Sequence, residues 1–161
     1  MKAMYRALMV GLALTVAAAA QEYKGHGYVY TSVDKPSPGN FADLMSVGGG
    51  GEGLVWKGLT VGGDIGYLFP RVSAQSGVGM LSLDGGWTFV DRQKPGRIVP
   101  FLMAGYTLAF RSGTANLMNL GGGVAWWFTH HLALRTEVRT YVYTQGGGAF
   151  DTALRIGLQF R

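Results

Sequence analysis

Hydrophobic and polar residues alternate in twos along most of this chain. In "HLALRTEVRTYVY", residues 131 to 143, Leu132, Leu134, Thr136, Val138, Thr140 and Val142 form one set. Ala133, Arg135, Glu137, Arg139, Tyr141 and Tyr143 form the other. A period of two marks a β-strand with two unlike faces. The same reading, interrupted at turn residues, predicts eight strands at about 23–33, 42–56, 58–69, 76–90, 97–110, 115–128, 131–144 and 149–160. No sustained i, i+3, i+4, i+7 stripe follows residue 21. The expected fold class is therefore all-β.

The connections alternate in kind. Tight turns are expected at Lys57, at "DRQKPG" (91–96) and at "TH" (129–130), at one end of the sheet. Longer loops, "DKPSPGNF" (34–41), "PRVSAQS" (70–76), "RSGTA" (111–115) and "TQGGGA" (144–149), fall at the other. Segments of this length suit tilted strands that cross a bilayer in about 9–11 residues.

The two faces decide which way the sheet is turned. Leu59, Val61, Ile65, Tyr67 and Phe69 oppose Thr60, Gly62, Asp64 and Gly66. Leu81, Leu83, Trp87 and Phe89 oppose Met80, Ser82, Asp84 and Thr88. Leu154, Ile156, Leu158 and Phe160 oppose Ala153, Arg155, Gly157 and Gln159, while Met45, Val47 and Val55 oppose Ser46, Gly48, Gly50 and Glu52. One face is large and apolar, and the other is small, polar and glycine-rich. A water-soluble barrel of eight strands needs bulky apolar side chains inside, and the small face offers little to fill a core. With the apolar face outward in lipid, a closed barrel satisfies its own backbone groups. The reading is an eight-stranded antiparallel up-and-down transmembrane β-barrel.

The aromatic residues give a second indication. Trp56, Trp87, Trp126 and Trp127, with Phe89, Phe128 and Phe160, lie beside the tight turns or the C-terminus. Tyr67, Phe69, Phe110, Tyr141 and Tyr143 lie near the longer loops. Two belts at two interfaces are what a membrane barrel presents.

The first twenty residues stand apart from this pattern. "MKAMYRALMVGLALTVAAAA" carries Lys2 and Arg6, then an apolar run, then Ala18 and Ala20 ahead of Gln21. That is the form of a cleaved secretory signal peptide, too short and wrongly flanked for a membrane span. Residues 1–20 are thus expected to be the leader of a Sec-exported bacterial protein, and 21–161 one barrel domain. The chain has no cysteine, so no disulfide contributes. Glycine supplies 27 of the 161 residues, more than twice the usual ~7%. The basic residues are scattered singly, which excludes a nucleic-acid interface.

Together these features resemble the small eight-stranded outer-membrane barrels of the OmpA transmembrane-domain, OmpX and NspA type. The resemblance covers the mature chain. It rests on the leader, the eight strands, the unit "GGGVAWWFTHHLALRTEVRTYVY" and the closing "ALRIGLQF". It implies location in the bacterial outer membrane, contact with its lipid and lipopolysaccharide, insertion by the barrel-assembly machinery, and a monomer. The family's last strand usually ends on an aromatic residue that the assembly machinery reads; Phe160 fits, with Arg161 following as a departure. Pro100 is a second departure. It lacks a ladder donor and predicts a bulge near the rim.

Seven charges fall on the inward face. Counted up from the tight-turn end, Glu52 and Arg135 come first, then Asp64, Asp84, Glu137 and Arg155, then Arg139. The lone acids lie on predicted strands two to four and the arginines on seven and eight, across the ring. Charges in a narrow, poorly hydrated bore must pair, and arginine's planar fork can hold two carboxylates at once. A cross-lumen network is expected, with lumen glycines leaving space for the arginine side chains. Its simplest role is to plug and rigidify the barrel. A second role is a gate, in which exchange of partners opens a narrow conduit for ions or small solutes.

Other chemistry finds little support. "GGGGEG" (48–53) matches a dinucleotide fingerprint in letters, but no helix follows it. His130 and His131 are adjacent, so on a strand they point apart, and they read as solvated turn residues. His26 reads as part of the polar interior. A lipid A deacylase of this size resembles a Ser/His/Glu hydrolase with His and Ser two apart, and no His-x-Ser occurs. No enzyme, cofactor or metal site is expected. The loops are short, which leaves little surface for adhesion. Lys35, Arg71 and Arg111, near the loop end, read first as ordinary surface charge and second as partners for lipopolysaccharide phosphates.

Overall fold

Eight antiparallel strands pair in chain order, and the last closes on the first. They are β1 (Gly25–Ser37), β2 (Leu44–Trp56), β3 (Leu59–Pro70), β4 (Val78–Thr88), β5 (Ile98–Phe110), β6 (Thr114–Trp127), β7 (Leu132–Tyr143) and β8 (Phe150–Phe160). The computed structural model describes residues 25–89, 96–144 and 150–161. The predicted leader lies outside the described residues, as do most of the predicted turn at 91–96 and loop at 144–149.

The strands differ from the predicted segments mainly at the loop end. β1 continues past residue 33 to Ser37, because Lys35, Pro36 and Ser37 still pair with Thr152, Asp151 and Phe150 of β8. Pro36 is tolerated there because the pairing of β1 with β2 ends at Asp34, so one side of the strand is free. β4 begins at Val78 because Ala74–Ser76 form a 3-10 turn instead.

Alternation holds around the ring and turns the molecule inside out. Leu83 and Leu120 are each 67% exposed, whereas Arg139 is 0% exposed. Outward positions are otherwise taken by residues such as Val61, Ile65, Leu102, Met118, Val138 and Ile156. Inward positions hold polar and charged groups, with two small apolar clusters. One is Met80, Leu117, Tyr141 and Ala153, and the other Val99, Ala125, Trp127 and Ala133.

Among the described residues the pairing shifts register once, between Leu54 and Trp56. The irregularity re-aims a side chain. Glu52 and Trp56 have the same parity, yet Glu52 points inward and Trp56 outward at 58% exposure. The adjoining turn is Lys57–Gly58, both with positive φ. Gly58 has φ of 101°, and a Cβ there would come within 2.7 Å of the Thr88 carbonyl oxygen, so the position requires glycine.

The bulge expected at Pro100 is absent. Pairing of β5 with β6 runs straight through Pro100, opposite Val124. On its other side the Pro100 carbonyl accepts from Phe89 N–H at 3.0 Å. The donor that proline lacks would face Phe89, one residue beyond the end of β4, so the missing bond falls at the rim and interrupts no further pairing of β4 with β5.

Candidate functional site: an ion-paired lumen

The inward face of β7 sets the site. Arg135, Glu137 and Arg139 follow one another at a spacing of two, so all three enter the bore one above the next. Arg139 Nε donates to Glu137 Oε1 at 2.6 Å, and Arg135 Nη2 lies 3.0 Å from Glu137 Oε2. The central carboxylate therefore holds both guanidiniums in line.

From that column the arginines cross to the opposite wall. Arg135 Nη2 lies 2.8 Å from Glu52 Oε1 on β2. Arg139 Nη1 meets Asp64 on β3 at 2.9 Å and Asp84 on β4 at 3.1 Å. Arg155, on β8, comes within 3.4 Å of Asp64 and 3.7 Å of Glu137. At the tight-turn end His26 Nε2 adds a contact of 3.3 Å with Glu52. All seven residues named from the sequence face the lumen and stand in one connected set.

Neutral donors complete the acids. Asp64 accepts from the hydroxyls of Tyr28 and Tyr30 at 3.3 and 3.2 Å, besides its two arginines. Three of these four donors converge on Oδ2 and one, from Tyr30, reaches Oδ1. Asn119 donates to Asp84 at 2.8 Å and to the Thr107 hydroxyl at 2.9 Å, and Thr107 lies 2.9 Å from Ser82.

Aromatic rings hold the guanidiniums in place, and the sequence reading missed them. The Arg135 guanidinium lies between the rings of Tyr28 (4.4 Å) and Phe101 (3.9 Å). Arg155 lies 4.0 Å over Tyr30 and donates to the Tyr141 hydroxyl. In a desolvated bore such cation–π contacts add directly to the ion pairs. The lumen face is thus not only small and polar. The missed signal was parity itself: carried through β1 and β5, it puts Tyr28, Tyr30, Phe101 and Met103 inside. Met103 Sδ accepts from Arg139 Nη2 at 2.9 Å.

Lumen glycines stand chiefly beside the acids and Tyr30, rather than only beside the arginines. A Cβ at Gly50 would lie 2.6 Å from Asp64 Cβ, and one at Gly62 would lie 2.7 Å from Glu52 Cγ. Gly105 is likewise pressed against Asp84, and Gly48 and Gly66 against the Tyr30 hydroxyl. The space among Tyr28, Tyr30, Arg135, Glu137 and Arg155 leaves no room for a water molecule.

The aromatic belts need two corrections. Trp56, Trp87, Phe89, Trp126 and Phe128 are exposed on the outer face at the tight-turn end, with Phe160 half-buried beside them. Trp127, however, points inward, with the Arg161 guanidinium 4.0 Å above its ring. Adjacent strand residues face opposite ways, so Trp126 and Trp127 cannot share a belt. At the loop end Tyr67 and Phe110 are exposed, and the Tyr67 and Phe69 rings stack at 5.8 Å. Tyr141 and Tyr143 instead face the lumen, in phase with Arg135 and Arg139.

Exposed His130 and His131 fasten the C-terminus. The His130 carbonyl accepts from Arg161 Nε at 2.7 Å, and His131 Nδ1 lies 3.1 Å from the Arg161 carbonyl oxygen. Of the loop-end cations, Arg111 donates to the Ser76 carbonyl at 3.1 Å, bridging two loops. Lys35 and Arg71 are exposed. Among the described residues no three metal-ligating side chains converge.

No protein-family model and no curated protein sequence matches the chain. Solved structures do. The N-terminal β-barrel domain of Pseudomonas aeruginosa OprF aligns with a TM-score of 0.58 at 14% identity, over 84% of this chain and 97% of that one. Neisserial surface protein A (NspA) aligns at 0.58 and 13% identity, over 84% and 94%. A de novo designed transmembrane β-barrel aligns at 0.56 and 19% identity, over 86% and 97%. A designed chain shares no ancestry with natural ones, so comparable scores at such low identity measure shared architecture. This chain has the fold of the small eight-stranded outer-membrane β-barrels.

Proposed function

We propose that this chain is a structural protein of the bacterial outer membrane, whose lumen is closed by its own ion pairs. The carrying observation is Arg139: it is fully buried and held by Asp64, Asp84 and Glu137 from three strands. A side chain tied to three points on the wall obstructs the bore and braces it. The apolar outer face, with Leu83, Leu120, Ile98 and Met118 all more than 60% exposed, supports residence in lipid. The histidines serve ion pairing and packing of the C-terminus, which supports a non-catalytic role. On this reading the barrel contacts outer-membrane lipid and lipopolysaccharide, is inserted by the barrel-assembly machinery and acts as a monomer.

One observation favours a second reading. Arg135 is paired with both Glu52 across the bore and Glu137 on its own strand. It can release the first while keeping the second, which is the exchange a narrow gated conduit needs. Single-channel recording in a planar bilayer separates the two readings, once heat-modifiable gel mobility has verified folding. A silent bilayer is expected. Discrete current steps that change in Arg135→Ala or Arg139→Ala would replace the plug with the gate.

A further inference from the structure

The loop-end lumen contains two carboxylates that the ion-pair network does not use. Asp34 of β1 and Asp151 of β8 are 1% and 4% exposed. Asp34 is opposite Ala153, and Pro36 is opposite Asp151. The two acids are therefore diagonal neighbours on the inward face of one ladder, with Cα atoms ~7–8 Å apart. Among the described residues neither forms an ion pair. Lys35, between Asp34 and Pro36, is turned outward, and the terminal nitrogens of Arg155 are engaged by Asp64, Glu137 and Tyr141.

Two carboxylates buried side by side must be neutralised, either by a shared proton or by a bound cation. One carboxylate is already oriented as an acceptor, because the Ser32 hydroxyl donates to Asp34. The Ser46 hydroxyl lies 2.6 Å from that of Ser32. The other carboxylate supplies the observation that points to a ligand: Asp151 Oδ1 is buried with no hydrogen-bond partner. It faces the lumen, opposite Tyr141 on β7 and Pro36 on β1. The available donors are all hard oxygens, two carboxylates and two hydroxyls. A divalent cation neutralises the pair, and water can fill the remaining positions, as is usual for oxygen-ligated ions bound by few carboxylates.

We propose that Asp34 and Asp151, with Ser32 and Ser46 behind Asp34, form a binding site for a divalent cation of the calcium type at the loop end of the lumen. With bonds of ~2.3–2.6 Å to each oxygen, a single ion spans two diagonal carboxylates once their side chains swing toward it. The site lies above the Arg155–Tyr141 contact, so its occupation joins β1 to β8 where the ladder ends. That is the seam at which the first and last strands close the barrel.

The test is calcium titration, by calorimetry, of the full chain refolded in zwitterionic detergent and stripped with chelator. Folding is checked by heat-modifiable mobility. Saturable binding of one ion with a Kd of ~10⁻⁴–10⁻³ M is expected, with a rise in the unfolding midpoint. Asp34→Asn and Asp151→Asn should each weaken binding at least ~10-fold. Asp43→Asn, an exposed loop acid outside the lumen, should leave it unchanged. Absence of saturable binding, or binding by either lumen variant as tight as that of the wild type, overturns the proposal. So does a raised midpoint in Asp151→Asn without any calcium response in the wild type, which would mean that the two acids share a proton.

If the variants do not fold, terbium alone on the wild type decides. All four tryptophans lie at the opposite end of the barrel, so an ion at this site is sensitised by Tyr141 and Tyr143. Tyrosine-sensitised emission that calcium displaces is expected. Its absence from correctly folded protein overturns the site.

Discussion

Arg139 on β7 holds Asp64 on β3 at 2.9 Å, straight across the bore and 75 residues away in sequence. The same guanidinium reaches Asp84 and Glu137. Removing it strands three buried carboxylates at once. Arg139→Leu, close to it in bulk but uncharged, is expected to destabilise the barrel by ~3–5 kcal/mol. Urea unfolding in lipid vesicles, followed by gel mobility, reads this out. A midpoint equal to wild type would mean that the carboxylates are hydrated and the bore is wet.

Charge alone does not account for Arg135. Its flat guanidinium is clamped between Tyr28 and Phe101 while it reaches Glu52 and Glu137. Arg135→Lys keeps the charge and loses both the stacking and the fork. A loss of ~1–2 kcal/mol is expected. In the Phe101→Leu background the same change should cost less, since part of the clamp is already gone. Additive losses in that double-mutant cycle would remove the ring from the account.

The outer wall tests the membrane reading independently of the lumen. Leu120, midway along β6 and 67% exposed, would be a harmless site for charge on a water-soluble barrel. In lipid, Leu120→Arg is expected to cost ~2–4 kcal/mol near the bilayer midplane. A neutral effect in vesicles would argue that this wall does not face hydrocarbon.

Glycines inside and outside should respond oppositely. A Cβ at Gly62 runs into Glu52, whereas one at Gly85 has nothing within 4 Å. Gly62→Val is therefore expected to overpack the lumen, at ~1–3 kcal/mol or more, and Gly85→Val to be nearly neutral. Refolding yield and unfolding midpoint of the two variants, measured together, check the pair.

Adjacent tryptophans offer a direct check on side. Trp126 faces outward at 53% exposure, while Trp127 is 8% exposed beneath Arg161. In single-tryptophan variants, lipids brominated along the acyl chain should quench Trp126 strongly and Trp127 weakly. Equal quenching would place Trp127 in the lipid-facing belt after all.

Most of the architecture was legible in the pattern of the chain. A period of two on eight segments, with one face apolar and the other not, leaves only a closed sheet turned toward lipid. The same parity named the seven lumen charges, because an Arg or Glu in phase with the small face has nowhere else to go. The strand ends were less legible, since Lys35 and Pro36 become strand only by pairing with β8. The Pro100 bulge failed for a related reason: whether a missing donor matters depends on whether a neighbouring strand reaches that far.

Alternation along the backbone is a local property, so the sequence by itself determined which residues share a face, that the faces are unlike and that a barrel results. Partners are a property of closure. Which carboxylate of β2, β3 or β4 meets which guanidinium follows from the stagger of eight strands around a ring, and no spacing within one strand encodes it. Only the tertiary structure decided that Arg139 meets Asp64 and Asp84, and that Tyr28 and Phe101 close on Arg135. It alone placed Asp34 and Asp151 side by side with no ion-pair partner among the described residues. Each of those pairs is made by residues from strands whose relative height is set when β8 closes on β1.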